Sequence, residues 1–310
     1  MSRLPALVSL LVVAGVLAVL PFLLSAYNVS LVAQVGIFFI GVLGLNILTG
    51  YTGQISIGHG AFMAIGGYTT AVLSRDHNTN LVVTMLAAFA LCFVFGVLVG
   101  LPALRFSGVY LALVTFALAV SVPQLPLKWS KFLGGRDGVQ TSRTVSHVWL
   151  YGVAWAASAI LFVLAWLILR GRVGRAFRAV RDSEIAAVAS GVELPVYKTL
   201  AFGISAAYAG VAGSLFVLAT NGFAAPDEFS IVLSLQLLVG AAVAGLGSLW
   251  GILAGAAFVG LLPSVSTSVP VIGSDHGRDV VFGAAVILVM LLLPGGFAGL
   301  LARIRRLARA

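Results

Sequence analysis

The sequence predicts an all-α fold: a polytopic bundle of about ten membrane-spanning helices forming a single domain over residues 1–310. Three observations predict it. Hydrophobic residues make up 61% of the chain and charged residues only 9%, with a mean hydropathy of +1.13. A water-soluble protein of this size needs a polar exterior, which so few charges cannot supply. Apolar runs of roughly 18–22 residues recur, the length that crosses a bilayer core as helix. Glycine is frequent, with 36 residues, and falls inside these runs, as expected where membrane helices approach closely or break.

The first run, Leu4 to Leu24, follows Met1-Ser2-Arg3. At about 20 apolar residues it exceeds a secretory signal core and is read as a retained first span. Further spans are expected near 29–49, 60–74, 81–104, 108–125, 148–169, 199–219, 230–250, 251–268 and 280–298. Residues 60–74 are short for a crossing. Residues 230–268 read either as two spans or as one span with a re-entrant segment, because only Gly245-Leu246-Gly247-Ser248 interrupts them. The single cysteine, Cys92, sits in an apolar run and rules out an intrachain disulfide.

Charge orients these spans. With both termini, Arg105 and 170–198 on the cytoplasmic side, that side holds Arg3, Arg105, Arg170, Arg172, Arg175, Arg178, Arg181, Lys198, Arg303, Arg305, Arg306 and Arg309. Its acids are Asp182, Glu184 and Glu193, so it carries the whole net charge of +9, and the opposite side balances to zero. This is the positive-inside rule. Topology accounts for the basic balance, which therefore gives no support to nucleic-acid binding. The exterior loop 126–147, with Lys128, Lys131, Arg136 and Arg143, departs from the rule.

Residues 170–198 are the one long polar stretch. Arg172, Arg175 and Arg178 form a basic stripe suited to anionic headgroups. After it, Asp182 or Ser183 is a suitable N-cap, Glu184 complements the helix dipole, and Ile185 to Ser190 favours helix. Gly191 stops the helix and Pro195 blocks its continuation. The segment Asp182 to Gly191 is thus the one well-formed helix expected outside the lipid.

Residues 50–60 place Gly50, Gly53, Gly58 and Gly60 around Gln54, Ser56 and His59. Irregular polar backbone at membrane depth persists only where protein buries it or it lines a cavity. Two readings stand. Close packing is the leading one for the glycines, with His59 as a satisfied interface histidine. In the other, Gly53, Gln54, Ser56, Gly58 and His59 border a solute pathway at a helix break. Gly247, Gly251 and Gly255 read as a GxxxGxxxG helix face, for packing within the chain or against a second subunit. Gly134-Gly135-Arg136-Asp137-Gly138 reads as a turn. Asp227, Glu228, Asp275, Arg278 and Asp279 fall in the other exterior loops and are read as solvated. All nine acids fall in loops or at span ends, which disfavours a proton- or sodium-coupled carrier or channel.

Glu184-Ile185-Ala186-Ala187 with Gly191 and Leu194-Pro195 resembles the EAA-type loop of permease subunits in ATP-binding-cassette importers. The blocks GYTGQISIGHGAFMAIGGYTTAVL (50–73), FSGVYLALVTFALA (106–119), LGGRDGV (133–139), GLGSLWGILAGA (245–256) and LLPGGFAGLL (292–301) extend the likeness to most of the chain. They resemble the M-type membrane subunit of branched-chain amino-acid importers. The resemblance implies a coupling helix that docks on an ATPase, with Asp182, Glu184, Ala186, Ala187, Gly191 and Pro195 as the coupling residues. It implies a non-catalytic transport subunit that moves branched-chain amino acids, or urea, amides or another small solute in related systems. The implied partners are a second homologous permease, two ATPase subunits and an extracytoplasmic solute-binding protein, for which 126–147 is a docking surface. The setting implied is a bacterial or archaeal inner membrane. The chain has no GxxxxGK[ST] pattern, so ATP and Mg are expected on the partner subunits, with no cofactor or metal on this chain.

Overall fold

The computed structural model describes Pro21, residues 24–77, 79–106, 108–142 and 145–266, and 283–300 apart from 285, 290 and 294. The expected span 4–24 lies almost wholly outside the described residues, and 280–298 is described only in pieces.

Among the described residues, six helical runs are long and apolar enough to cross a membrane: Ala26–Tyr51, Leu81–Ala103, Val109–Lys128, His147–Arg170, Leu194–Ala219 and Pro226–Ala244. In chain order the helices are α1 (Ala26–Leu45), α2 (His59–His77), α3 (Leu81–Ala103), α4 (Val109–Ser121), α5 (His147–Arg170), α6 (Arg172–Asp182), α7 (Glu184–Ala189), α8 (Leu194–Ala219), α9 (Ile231–Ala244) and α10 (Ile252–Ser266). Helix α1 runs on into a π-helical turn, Asn46–Tyr51. Helical turns also carry α4 on to Lys128. The loop expected on the exterior therefore begins near Trp129 rather than at 126.

Helices α1 and α8 form the centre. Both are buried along most of their length, whereas α3, α4 and α5 expose most of theirs. The peripheral helices turn small residues inward. Helix α3 buries Thr84, Ala88, Cys92, Gly96 and Gly100 at four-residue intervals and exposes Leu86, Val94, Leu98 and Leu101. Lipid tails are as apolar as leucine, so burying leucine gains little; close backbone approach through small side chains holds such helices together. A Cβ added at Gly96 would meet Ala206 Cβ at 2.5 Å and the Phe202 carbonyl at 2.7 Å, both on α8. Gly210 of α8 is packed against Cys92, and Gly213 against the Met63 backbone of α2. Helix α5 packs on α1 along Ala154, Ser158 and Ala165, with the Ser158 hydroxyl donating to the Gly36 carbonyl at 2.9 Å.

Residues 231–266 hold two helices joined by a tight tip. Helix α9 itself has 14 residues, and with the helical turn Pro226–Phe229 before it the run reaches 19 residues, about 28 Å and close to the ~30 Å hydrocarbon core; α10 is described as far as Ser266. Their tip, Gly245 to Gly251, turns through positive φ at Gly245 (94°) and Gly247 (78°). Those residues are therefore not helical, and Gly247, Gly251 and Gly255 do not share one helix face as the sequence spacing implies. Each is still a close contact inside the chain: Gly247 against Arg181 and Gly50, Gly251 against Ala244, Gly255 against Gly240.

A two-stranded antiparallel ribbon joins β1 (Val139–Gln140) to β2 (Phe223–Ala224). It ties the 129–146 loop to the segment after α8. The coupling-type segment α6–α7 adjoins the start of α8 and the ribbon follows its end. The 26 residues of α8 separate the two by about 39 Å, close to the full thickness of a bilayer with its headgroups.

Candidate functional site

The polar stretch 170–198 folds into two helices, not one. Sequence reasoning found α7 but missed α6, whose Arg172, Arg175 and Arg178 are exposed while Gly174, Ala176, Phe177 and Val180 are buried. That three- and four-residue alternation was the available signal for an amphipathic helix, obscured by reading the arginines alone. Phe177 packs edge-on against Tyr197 of α8, which fixes α6 to the bundle. At the end of α5, the Arg170 guanidinium lies 3.8 Å over the Trp166 ring.

Helix α7 is capped at both ends. Ser183, with extended backbone, accepts from the Ala186 N–H at 3.3 Å, so Ser183 is the cap and Asp182 the exposed last residue of α6. At the other end Gly191 has φ +81°, and the Val192 N–H reaches the Ala187 carbonyl at 3.0 Å, a left-handed stop. Pro195 sits in the first turn of α8, where its missing N–H costs nothing. Glu184 pairs with Lys198 at 2.6 Å; the Lys198 side chain is 8% exposed and the Glu184 side chain 46%. The carboxylate thus complements the dipole of α7 and also anchors α7 to α8. Lys198, expected in the loop, is in the second turn of α8. Ala187 faces inward at 2% exposure. Ala186 is exposed, and the free face of α7 carries Ile185 (86%) and Val188 (54%).

The glycine-rich break lies between the π-turn and α2. Gly53 has φ +73° and turns the chain. Gln54 is buried: its side chain donates to Thr52 Oγ1 at 2.9 Å and its carbonyl accepts from the Thr49 hydroxyl at 3.1 Å. A Cβ at Gly58 would sit 2.9 Å from the Thr115 carbonyl, and the Ile57 N–H donates to Thr115 Oγ1 at 3.0 Å. Helix α2 then begins beside the middle of α8. His59 is fully enclosed, with Nε2 2.6 Å from Ser205 Oγ and Nδ1 3.4 Å from Ser56 Oγ. The Ser205 hydroxyl gives its proton to the Gly44 carbonyl at 2.6 Å. It must therefore accept from His59, which fixes the hydrogen on Nε2. Ser56 Oγ also accepts from the Gly58 N–H, and Ser234 Oγ from the Gly60 N–H at 2.8 Å. In this conformation the polar groups of the break are buried and engaged with one another.

An apolar cleft of about 960 Å³ opens between α2, α3, α4 and the 125–133 turns, lined by Phe62, Phe95, Leu118 and Phe132 among others. Tyr68, Thr69 and Trp129 supply its few polar side-chain atoms. It lacks the paired charges that an amino and a carboxylate group require.

At the ribbon end, Gly138 packs against the Ala224 carbonyl, and the Arg75 side chain reaches the Phe132 carbonyl at 3.2 Å. Arg75 also pairs with Asp76 at 2.6 Å, and its hydrogen bond holds the Asp76 carboxyl below the usual carboxylate range. Asp137, Asp227 and Glu228 lie in the same connecting segments. Among the described residues no group of three or more His, Cys, Asp or Glu side chains is placed to hold a metal.

A bundle of apolar helices around two buried central ones, with a capped helix beyond one end of α8, defines a multi-pass integral membrane protein. Within that class, the chain belongs to the family described as branched-chain amino acid transport system / permease component, which matches residues 27–293. It is 30% identical over 321 aligned residues to the high-affinity branched-chain amino acid transport system permease protein LivM of Escherichia coli (strain K12), covering 94% of this chain and 73% of that one. LivM of Salmonella typhimurium (strain LT2) is 30% identical over 313 residues, with 89% and 71% covered. LivH of the same strain is 26% identical over 192 residues, 61% of this chain and 59% of that one. No solved structure matches the chain significantly.

Proposed function

We propose that this chain is the membrane-spanning subunit of an ATP-binding-cassette importer that carries branched-chain amino acids into the cytoplasm. The observation that carries the reading is α7: a helix capped at both ends, anchored by Glu184–Lys198, presenting Ile185 and Val188 to solvent. An exposed apolar pair on a fixed, charged-rimmed helix is a docking knob. Its partner in this reading is an ATPase subunit, which supplies ATP and Mg. Closure of two such ATPases pushes α7, and the Glu184–Lys198 pair passes the push to α8 at the centre of the bundle.

The α6–α7 end then faces the cytoplasm, with the termini, and the β-ribbon faces a solute-binding protein outside a bacterial or archaeal inner membrane. The break at 53–59 borders the pathway, opening when its mutual hydrogen bonds are exchanged for solute. A second permease subunit of the same family completes the pathway, in keeping with the likeness to both LivM and LivH.

Coexpression with candidate ATPase subunits, copurification, and uptake in proteoliposomes supplied with a binding protein test the reading. ATP-dependent leucine, isoleucine or valine uptake is the expected result. A complex that forms but takes up only urea or amides would move the substrate assignment. Uptake driven by an ion gradient without ATPase subunits would overturn the reading.

A further inference from the structure

Arg181 is the penultimate residue of α6, two positions before the Ser183 cap of α7. Its stem lies against Gly53, where a Cβ would stand 3.4 Å from Arg181 Cγ. Its guanidinium donates to the Gly50 carbonyl at 2.6 Å, one of the carbonyls that the end of a helix leaves without an internal partner. The same guanidinium presses on the hairpin tip, since a Cβ at Gly247 would collide with Arg181 Nη1. Beneath it Asn46, fully buried, accepts from the Gly247 N–H at 2.9 Å and donates to the Ser248 carbonyl at 2.8 Å. Gly50 also has to be glycine, because a Cβ there would strike Asn46 and the Gly247 nitrogen. Three segments far apart in sequence therefore meet at one side chain: the π-turn that ends α1, the α9–α10 tip, and the residue next to the helix outside the bundle.

We propose that Arg181 is a positioning residue that carries movement of α7 to the end of α1 and the α9–α10 tip together, so that the inner end of the bundle opens and closes as one unit. This rests on the importer reading for the source of the movement. The geometry favours transmission over simple packing in two respects. The contact is a charge-assisted hydrogen bond to a π-turn, an element that departs from α-helical bonding and often marks functional positions. The tip it holds turns through two positive-φ glycines rather than ending as a regular helix; Gly245 is seated on Gly295 and Ala298, and the polar contacts of Asn46 and Arg181 at Gly247 and Ser248 are what link the tip to the end of α1.

The test has two readouts on the full-length chain. Hydrogen exchange in lipid nanodiscs reads the clamp directly: Arg181→Gln should speed exchange about tenfold in both 46–54 and 245–252, the scale of one lost hydrogen bond to a charged group. Arg181→Lys, which keeps a donor for the Gly50 carbonyl, should fall between. In the ATPase-bound complex, Arg181→Gln should retain the ATPases and hydrolysis but lower solute moved per ATP about fivefold or more, a typical coupling effect. Gly247→Ala should uncouple the parental chain in the same way and cost less on top of Arg181→Gln, where the backbone strain remains but the collision with Nη1 is gone. Unchanged exchange in both segments overturns the clamp, whatever the transport result. Faster exchange with a parental uptake-to-ATP ratio overturns its role in coupling. A parental complex without ATP-driven uptake overturns the importer reading and leaves the exchange result to decide the clamp.

Discussion

At the residue scale, the Glu184–Lys198 pair is unequal, and the inequality predicts which partner matters more. The ammonium is buried and the carboxylate is half in water. Removing the carboxylate leaves a buried cation without its counter-charge, whereas removing the lysine leaves a carboxylate that water can solvate. Glu184→Gln should therefore destabilise the α7–α8 junction by about 1–2 kcal/mol, between the values for exposed and buried pairs, and Lys198→Met by less. Thermal unfolding in detergent of the two variants and the double variant measures this, and equal costs for the two single changes would refute it. Gly191 gives a second case. Its surroundings are open, with no atom within 4 Å of an added Cβ, so Gly191→Val reports backbone strain alone, about 1–2 kcal/mol for a left-handed non-glycine residue. Gly191→Asn should cost less than half of that and keep whatever partner binding the valine variant loses in a pull-down.

At the element scale, helix identity was legible where the chemistry is local, and helix pairing was not. The caps of α7 follow from Ser183, Gly191 and the alanines between them, and all were readable as residue types. The break at Gly50–Gly60 was legible as a break, because four glycines among polar residues do not make a lipid-facing helix. Its partners Ser205, Thr115 and Ser234 were not legible, since they lie 58 to 174 positions away and nothing local points to them. The glycine face at 247–255 was misread because helical spacing cannot show that Gly247 has positive φ. Gly96 and Gly100, four residues apart on α3, seat it on α8. These contacts predict an order of effects. Gly210→Leu and Gly213→Leu, whose added Cβ atoms already meet Cys92 or the Met63 backbone, should abolish folding or membrane accumulation. Gly58→Leu, 2.9 Å from the Thr115 carbonyl, should destabilise by about 1–3 kcal/mol or more, the range for overpacking. Gly152→Leu, on a face of α5 with nothing within 4 Å, should behave as the parent. Fluorescence size-exclusion profiles of the four variants check the ranking, and a Gly152 variant as defective as Gly213 would contradict it.

At the scale of the whole molecule, α8 carries the prediction of how the chain crosses the membrane. It begins at the charged junction with α7, passes His59 near its middle, and ends at the turn into β2. A continuous apolar helix of about 39 Å cannot fold both of those ends onto one side of a bilayer. Residues 190 and 136 are therefore expected on opposite sides. In the importer reading 190 is on the cytoplasmic side, as the positive-inside rule expects, even though Lys128, Lys131 and Arg136 sit at the other end; Arg75 there is neutralised by Asp76. Cysteine labelling suits the question because the native Cys92 is fully buried against Phe62 and should stay silent to a membrane-impermeant thiol reagent. Ser190→Cys is exposed and replaces a hydroxyl of similar size. On the far side Arg136→Cys is the better probe than Gly135, which is buried at φ +64° and would be strained by any side chain. In sealed, right-side-out cells the 136 variant should label from outside, and the 190 variant only after permeabilisation. Labelling of both positions before permeabilisation would mean that α8 does not span the membrane, and the path from α7 to the centre of the bundle would go with it. Labelling of 190 alone would keep the span but invert the chain, placing α7 where no ATP-driven partner could reach it.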